Sequence, residues 1–314
     1  MRVATNSYTS EMLDQYNSLL AQQDTLQSQA STGLAVQAPS DNPSAMETSL
    51  DDISQQAQQT QYSANISALQ SRGDTIYSTL ESLQTVVSTA SGIATSVGNA
   101  ITNGNSLGNY ADQVNSLINQ TISAANTKDP ATGQYLFGGT AAGAAPYTTT
   151  TDANGDVTGV TYNGNSSVNQ SAIGASQTLS VDIPGANTGG SGPRGLITDS
   201  QSGADLLNHL ISLRNDLESG DTSTITGTDA ANLQKDENNI TYQVANNGVA
   251  QAQLTTAASA ATSNAQNLGT MVTNASSANL VNTMVELNSA QTAYQAALES
   301  GSKIMQLSIL NYLQ

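Results

Sequence analysis

Cysteine is absent from these 314 residues, tryptophan is absent with it, and phenylalanine occurs once. Without cysteine there is no disulfide, no thiolate metal site and no cysteine nucleophile. Cations are also scarce: Lys and Arg total 7 against 24 Asp and Glu, giving a formal charge of -17 and a pI near 4.1. A surface that grips phosphate needs clustered cations, so the composition argues against nucleic acid and anionic membrane as partners. Charged residues of both signs make up 10% of the chain, where about 25% is usual. No apolar run approaches the ~18 residues that a membrane span needs. The first 20 residues hold one Arg and no apolar core, so no cleavable secretory signal is expected.

What remains for the surface is Ser, Thr, Asn, Gln and Gly. Such a surface is soluble without being strongly self-repelling, which suits packing against copies of itself. Against this polar background the apolar residues are periodic. From Asn279 to Gln314, alternating steps of four and three pick out Leu280, Met284, Leu287, Gln291, Tyr294, Leu298, Gly301 and Met305. That rhythm belongs to a helix with one seam buried against another helix. Val281, Val285, Ala290, Ala297 and Ile304 flank it, and Leu307 and Leu310 extend the apolar character. The N-terminus has a matching rhythm in Met12, Tyr16, Leu19, Gln23, Leu26 and Ala30, with Gly33 where a C-terminal cap belongs. The economical arrangement pairs the two ends and leaves everything between them as an insertion.

Asn42-Pro43 reads as an N-cap and first turn. The helix it opens carries a seam of Tyr62, Ile66, Leu69, Gly73, Ile76, Leu80, Leu83, Val87 and Ala90. From Pro43 to Val97 it would run ~80 Å at 1.5 Å per residue. Asn103-Gly104-Asn105 should break it, and a shorter helix bearing Tyr110, Val114, Leu117, Ile118 and Ile122 should end before Asp129-Pro130. Residues 134 to 190 change to Thr- and Val-rich runs. Asn154-Gly155 separates Tyr147–Thr151 from Val157–Tyr162 as a hairpin turn, and Thr178–Ile183 reads as a further strand. Gly189–Gly195 reads as a loop or linker. Helix returns after Asp199, stops near Gly220, and restarts near Thr228 or Asp229. Between Val272 and Leu280 two successive steps of four change the phase, which marks a joint.

The expected fold is mainly α: an elongated rod of long antiparallel, coiled-coil helices formed by both chain ends, with a small β-rich insert in the middle. The corresponding segments are 1–42 (N-terminal assembly helix), 43–133 (first part of the rod), 134–195 (outer insert), 196–274 (return part) and 275–314 (C-terminal assembly helix pairing with 1–42).

Candidate chemistry is sparse. His209, the one histidine, stands a turn after Asp205, but no third group or nucleophile is placed by the sequence, and no G-x-S-x-G elbow occurs. Asp152, Asn154 and Asp156 imitate the start of a calcium loop, yet its sixth and twelfth positions hold Val157 and Asn163 where Gly and Glu are required. Asn65-Ile66-Ser67 and Asn119-Gln120-Thr121 match the glycosylation sequon in a chain where chance supplies several. No catalytic, cofactor or metal residue is assigned, and an assembly or structural protein is expected. A helical enzyme, or an adhesin with a binding module in the β insert, is the alternative from another class.

The segment Leu26–Pro43, LQSQASTGLAVQAPSDNP, together with Asn279–Leu313, resembles the flagellin family. The segment Asp129–Gly139, DPATGQYLFGG, is similar to members that sit at the hook–filament junction, as are TYNGN (Thr161–Asn165), SVDIPG (Ser180–Gly185) and the ending QLSILNYL (Gln306–Leu313). One departure is the lack of the Arg that often follows the Thr-Gly step; Leu34-Ala35-Val36 stands there instead. The resemblance implies a structural, non-enzymatic subunit that links hook-associated proteins to the filament, or, as an alternative, a subunit of the filament itself. It implies an extracellular place at the distal end of the hook, reached through the flagellar type III apparatus without signal cleavage. The implied partners are copies of the chain in a ring, a proximal hook-associated junction protein, flagellin and an export chaperone. The implied assembly interface comprises Met12, Tyr16, Leu19, Leu26, Leu280, Met284, Leu287, Tyr294, Leu298, Met305, Leu307 and Leu310.

Overall fold

The structure is a computed structural model that describes residues 2–99 and 104–312, with side chains over 10–98 and 106–303. Long helices occupy both ends of the chain, and a small β insert lies in the middle. Helix α1 spans Arg2–Thr32 and ends on Gly33, whose φ of +74° is the left-handed value that lets a helix stop without Cβ strain. Helix α2 spans Pro43–Asn99, and the Asn42 Oδ1 accepts the Ala45 N–H at 3.1 Å, as an N-cap should. Helix α3 runs Gly104–Ala125. Gly104 and Asn105 therefore open the next helix instead of forming the break, and Asn103 lies outside the described residues.

Strands β1 (Tyr147–Thr151) and β2 (Val157–Tyr162) form the antiparallel hairpin expected around Asn154-Gly155. Strands β3 (Ser171–Gly174) and β4 (Gln177–Leu179) form a second hairpin. The strand expected over Thr178–Ile183 thus shortens to its first residues. The reason is tertiary: Val181 and Ile183 are buried as core side chains, and the ladder ends at Leu179. Three two-residue strands follow, β5 (Ala186–Asn187), β6 (Thr198–Asp199) and β7 (Ala204–Asp205), with β6 central, parallel to β5 and antiparallel to β7.

Helix α4 spans Leu206–Ser219 and stops at Gly220, φ +77°. Helical backbone resumes earlier than expected, in α5 (Thr222–Thr224), because the Asp221 side chain caps it by accepting the Thr224 N–H at 3.1 Å. A π-helical turn, Ile225–Asp229, then leads into α6, Ala230–Ser276. The expected joint falls at residues 277–279, and α7 spans Leu280–Tyr312.

The chain divides into two compact units. The larger, Gln59–Thr262, holds a continuous apolar core. The expected seam of α2 is buried there from Ile66 to Ala90, with Tyr62 half-buried, and shares one core with Leu233, Ile240, Leu254 and Ala261 of α6 among others. Gly73 sits within that seam because Gln251 occupies the space a Cβ would need. Gln251 Nε2 donates to the Gln70 carbonyl (3.3 Å) and to Asp74 Oδ1 (3.1 Å), and Asn247 Nδ2 donates to the Gly73 carbonyl (3.2 Å). Asn239 and Gln243, at four-residue spacing on α6 from Asn247, donate to the carbonyls of Arg194, Gly195 and Leu196. These contacts show that the Gly-rich stretch is a fastened loop and not a linker; Gly195 is buried, and an added Cβ would overlap the backbone of Thr198 and Asn187.

The insert is tied to this core by its few cations. Arg72 on α2 pairs with Asp129 (3.2 Å) and Asp182 (2.6 Å), all three side chains being largely buried. Arg214 on α4 is buried and donates to the Val157 carbonyl of β2 at 2.8 Å. Phe137 is fully buried, and its carbonyl accepts from Tyr162 Oη (3.0 Å) and the Gly185 N–H (2.8 Å). The exposed helix faces carry few charges. Their Thr and Ser hydroxyls donate to the carbonyl four residues back, as in Thr85, Thr89, Thr95 and Ser96, so the polar surface is partly satisfied by its own backbone.

Candidate assembly interface

The smaller unit, Met1–Gln58 with Ser263–Gln314, contains α1, α7 and their connections. The two terminal helices pack on each other in antiparallel register. At one end the Tyr16 hydroxyl donates to the Ala297 carbonyl at 2.5 Å, and the Tyr16 ring meets Tyr294 edge-on, centroids 6.3 Å apart at 77°. Gly301 faces the same tyrosine; an added Cβ would overlap the Tyr16 hydroxyl and the Met12 methyl. At the other end the Ala35 N–H donates to the Ser276 carbonyl (2.7 Å), and the Ala278 N–H to the Gly33 carbonyl (2.8 Å). The helix-stopping glycine thus doubles as the acceptor that fixes the start of α7.

On α1 the expected stripe is the covered one: Leu26 is buried, Met12, Tyr16, Leu19 and Gln23 are half-buried between exposed neighbours, and Ala30 is half-buried beside Ser28 and Gln29, which are half-buried too. On α7 the covered stripe is Thr283, Leu287, Ala290, Tyr294, Ala297 and Gly301. Leu287 and Tyr294 were anticipated in it. Leu280, Met284 and Leu298 were expected in the same seam but are 50%, 54% and 46% exposed. They lie one residue off the covered positions 283 and 297, or at the first turn of the helix. The small side chains at 283, 290 and 297 let α1 come close, and the larger ones are left on the flank. Val281 and Val285 enlarge that flank at 74% and 60% exposure. The side chains of Met305, Leu307 and Leu310 lie outside the described residues. The expected interface therefore divides, where described, into an α1–α7 seam and an uncovered apolar flank at the N-terminal part of α7.

The catalytic candidates resolve differently. His209 Nδ1 lies 2.8 Å from Asp236 Oδ2, not against Asp205. Asp205 instead accepts from Thr198 Oγ1 (3.0 Å) and Asn208 Nδ2 (2.7 Å). Burial raises the Asp236 carboxyl above the ordinary carboxylate range, although the His209 contact opposes the shift. Asp229 is fully buried beside Ser212 and Asp216, and desolvation followed by the Asp216 charge pushes its carboxyl up to about 6. Ser212 Oγ bonds Asp229 Oδ1 at 3.1 Å, so the serine is engaged by a carboxylate and not by the histidine. Asp152 Oδ1 accepts the N–H groups of Asn154 and Asp156, each at 2.9 Å, which is a hairpin turn. Among the described residues no group of three or more acidic or histidine side chains is placed to hold a metal, and no helix is long and apolar enough to cross a membrane.

No protein-family model and no curated protein matches the sequence. Solved structures do match. A putative flagellar hook-associated protein from Vibrio parahaemolyticus aligns over 76% of this chain and 100% of its own, at 18% identity and a TM-score of 0.64. Flagellar hook associated protein-3 from Legionella pneumophila aligns over 71% of this chain and 97% of its own, at 14% identity and a TM-score of 0.59. The flagellar junction protein FlgL from the same organism aligns over 66% and 99%, at 15% identity and a TM-score of 0.51. The fold built by the two terminal helices, the α2–α6 core and the β insert is the fold of flagellar hook-associated proteins.

Proposed function

We propose that the chain is a structural, non-enzymatic member of the flagellin family that acts at the hook–filament junction and links hook-associated proteins to the filament through its terminal helices. The observation that carries this reading is the uncovered flank of α7: Leu280, Val281, Met284, Val285 and Leu298 remain exposed although α7 is already paired with α1. Large apolar side chains grouped on one flank of a helix mark a surface kept for a partner. Burying each contributes about 1.5–3 kcal/mol, so a handful per subunit, repeated around an assembly, is enough to hold it. The likeness to solved flagellar hook-associated proteins supports the same reading.

The partners that follow are further copies of the chain in a ring, a proximal hook-associated junction protein, flagellin on the distal side, and an export chaperone that shields the α7 flank before assembly. Export through the flagellar type III apparatus and residence at the distal end of the hook belong to the same proposal. The test is deletion of the gene, with electron microscopy of the cells and blotting of the medium for flagellin. Bare hooks with full-length flagellin shed into the medium are expected. Intact hooks without any flagellin made would identify the chain as the filament subunit, and unchanged filaments would overturn the flagellar reading.

A further inference from the structure

We propose that Asn154 is a site of spontaneous covalent modification, deamidating to aspartate and isoaspartate in the folded chain while the other described Asn-Gly steps stay protected. The step is intramolecular. The Gly155 backbone nitrogen attacks the Asn154 side-chain carbonyl carbon; a C–N bond forms, the Cγ–Nδ2 bond breaks, and ammonia leaves carrying the proton that Gly155 nitrogen gives up. Water then opens the resulting succinimide ring at either carbonyl. Attack needs a side chain that can swing over its own backbone and a following residue without a Cβ in the way.

The sequence contains four Asn-Gly steps, at 103, 154, 163 and 247, and Asn103 lies outside the described residues. At Asn247 the following residue is also a glycine, Gly248, but the side chain cannot swing over its backbone. Asn247 is buried within α6, its amide donates to the Gly73 carbonyl at 3.2 Å, and its backbone is held helical. At Asn163 the amide donates to Thr148 Oγ1 (3.0 Å) and the backbone N–H to the Pro146 carbonyl (2.7 Å). Gly164 beside it is packed so closely under Tyr162 and the Gly138 carbonyl that not even a methyl group fits, so the backbone cannot turn into the ring. At Asn154 the side chain is exposed and its amide makes no hydrogen bond among those described, while nothing lies within 4 Å of a Cβ built on Gly155. The Gly155 N–H is held only by a long 3.3 Å contact to the Asp152 carbonyl.

The two outcomes of the reaction would differ in consequence. At the hairpin tip, a new charge or an extra backbone methylene meets open space, so the unit keeps its fold and carries a mark that accumulates with the age of the chain. At Asn247 the same reaction would turn a buried donor into a carboxylate facing the Gly73 carbonyl. Protection there guards the α2–α6 core.

The test incubates the full chain in mildly alkaline buffer and follows each Asn-Gly peptide by mass spectrometry and enzymatic isoaspartate labelling, beside a sample held unfolded in denaturant. In the folded chain the Asn154 peptide is expected to convert about tenfold or more faster than the Asn247 peptide, since a buried site must wait for local opening; Asn163 should fall between them. In denaturant the three rates should converge. Equal rates in the folded chain, or Asn154 protected there while it reacts in denaturant, would overturn the proposal.

Discussion

Replacing Gly301 with alanine tests the register of the terminal helices. In an isolated helix the change is favourable, because alanine exceeds glycine in helix propensity by about 0.8–1.0 kcal/mol. In this seam the added methyl overlaps the Tyr16 hydroxyl and the Met12 methyl. The methionine end can swing away, but Tyr16 is held by its bond to the Ala297 carbonyl and by the edge contact with Tyr294. Over-packing a fitted seam costs about 1–3 kcal/mol, and a displaced tyrosine gives up a hydrogen bond worth about 1 kcal/mol. The balance is a net loss of roughly 1–3 kcal/mol, local to the α1–α7 pair. Hydrogen exchange of the α7 amides between Leu287 and Gly301 reads it as faster exchange in the variant. Tyr16→Phe removes the overlapping oxygen, so the alanine penalty should shrink in that background, and the double-mutant cycle should show a coupling of about 0.5 kcal/mol or more. If Gly301→Ala slows exchange, or if its effect is the same with Phe at 16, the two helices do not meet at this point and the seam described above is wrong.

Arg72→Met should destabilise the larger unit by about 3–5 kcal/mol, because Asp129 and Asp182 are left facing each other with little access to water; denaturant unfolding at neutral pH measures it, and a loss under 1 kcal/mol would mean the pair is solvent-screened. Asp229 has a folded-state pKa raised to about 6 from an ordinary value of 3.8. Its favourable contribution is therefore full below the unfolded value and is lost as pH rises through the folded one, so stability should fall between about pH 4 and pH 6 and level off above. Asp229→Asn should flatten that slope and raise the melting temperature at neutral pH; a variant less stable than the parent at pH 7.5 would contradict the assignment. Gly195→Ala should unfasten the 192–196 loop from Asn239 and Gln243, seen as selective proteolysis there, because its Cβ overlaps main-chain atoms that cannot move aside. Val281→Asp and Met284→Asp should leave the circular dichroism unchanged and block incorporation into the flagellum, read as lost motility.

The helices were legible because their signals are local and repeated. Asn42-Pro43, the seam from Ile66 to Ala90, Gly33, Gly220 and the phase change before Leu280 each depend on a few neighbouring residues, and each is where the periodicity puts it. The first hairpin was legible for the same reason, through Asn154-Gly155. Most of what escaped was set by distant partners. Val181 and Ile183 look like strand residues and serve as core. The stretch 189–195 looks like a linker until Asn239 and Gln243, more than 40 residues away in sequence, close on its carbonyls. Nothing near Asp221 in the apolar pattern signals that its carboxylate starts a helix before the apolar rhythm resumes. The Arg72 and Arg214 ties were likewise invisible, since a lone arginine on a helix is most often solvated.

The α1–α7 seam was half legible, and the missed half follows from how a heptad is read. Leu287, Tyr294 and Gly301 recur every seven residues, and both the expected and the observed seam contain them. The seam needs a second position in each heptad, and the choice lay between Met284, Gln291 and Leu298 on one side and Thr283, Ala290 and Ala297 on the other. Ranking by hydrophobic size selects the first set. The fold selects the second, because α1 brings Tyr16 and Met12, and two large layers cannot share one close contact. Gly301 carried the signal that could have decided it: a glycine inside a helix seam costs helix stability unless something large occupies its place. Once the tyrosine is granted that space, the small residues belong inside and the large ones outside. Met284 and Leu298 are then not leftovers of an imperfect heptad but the flank of a helix whose inward needs are already met.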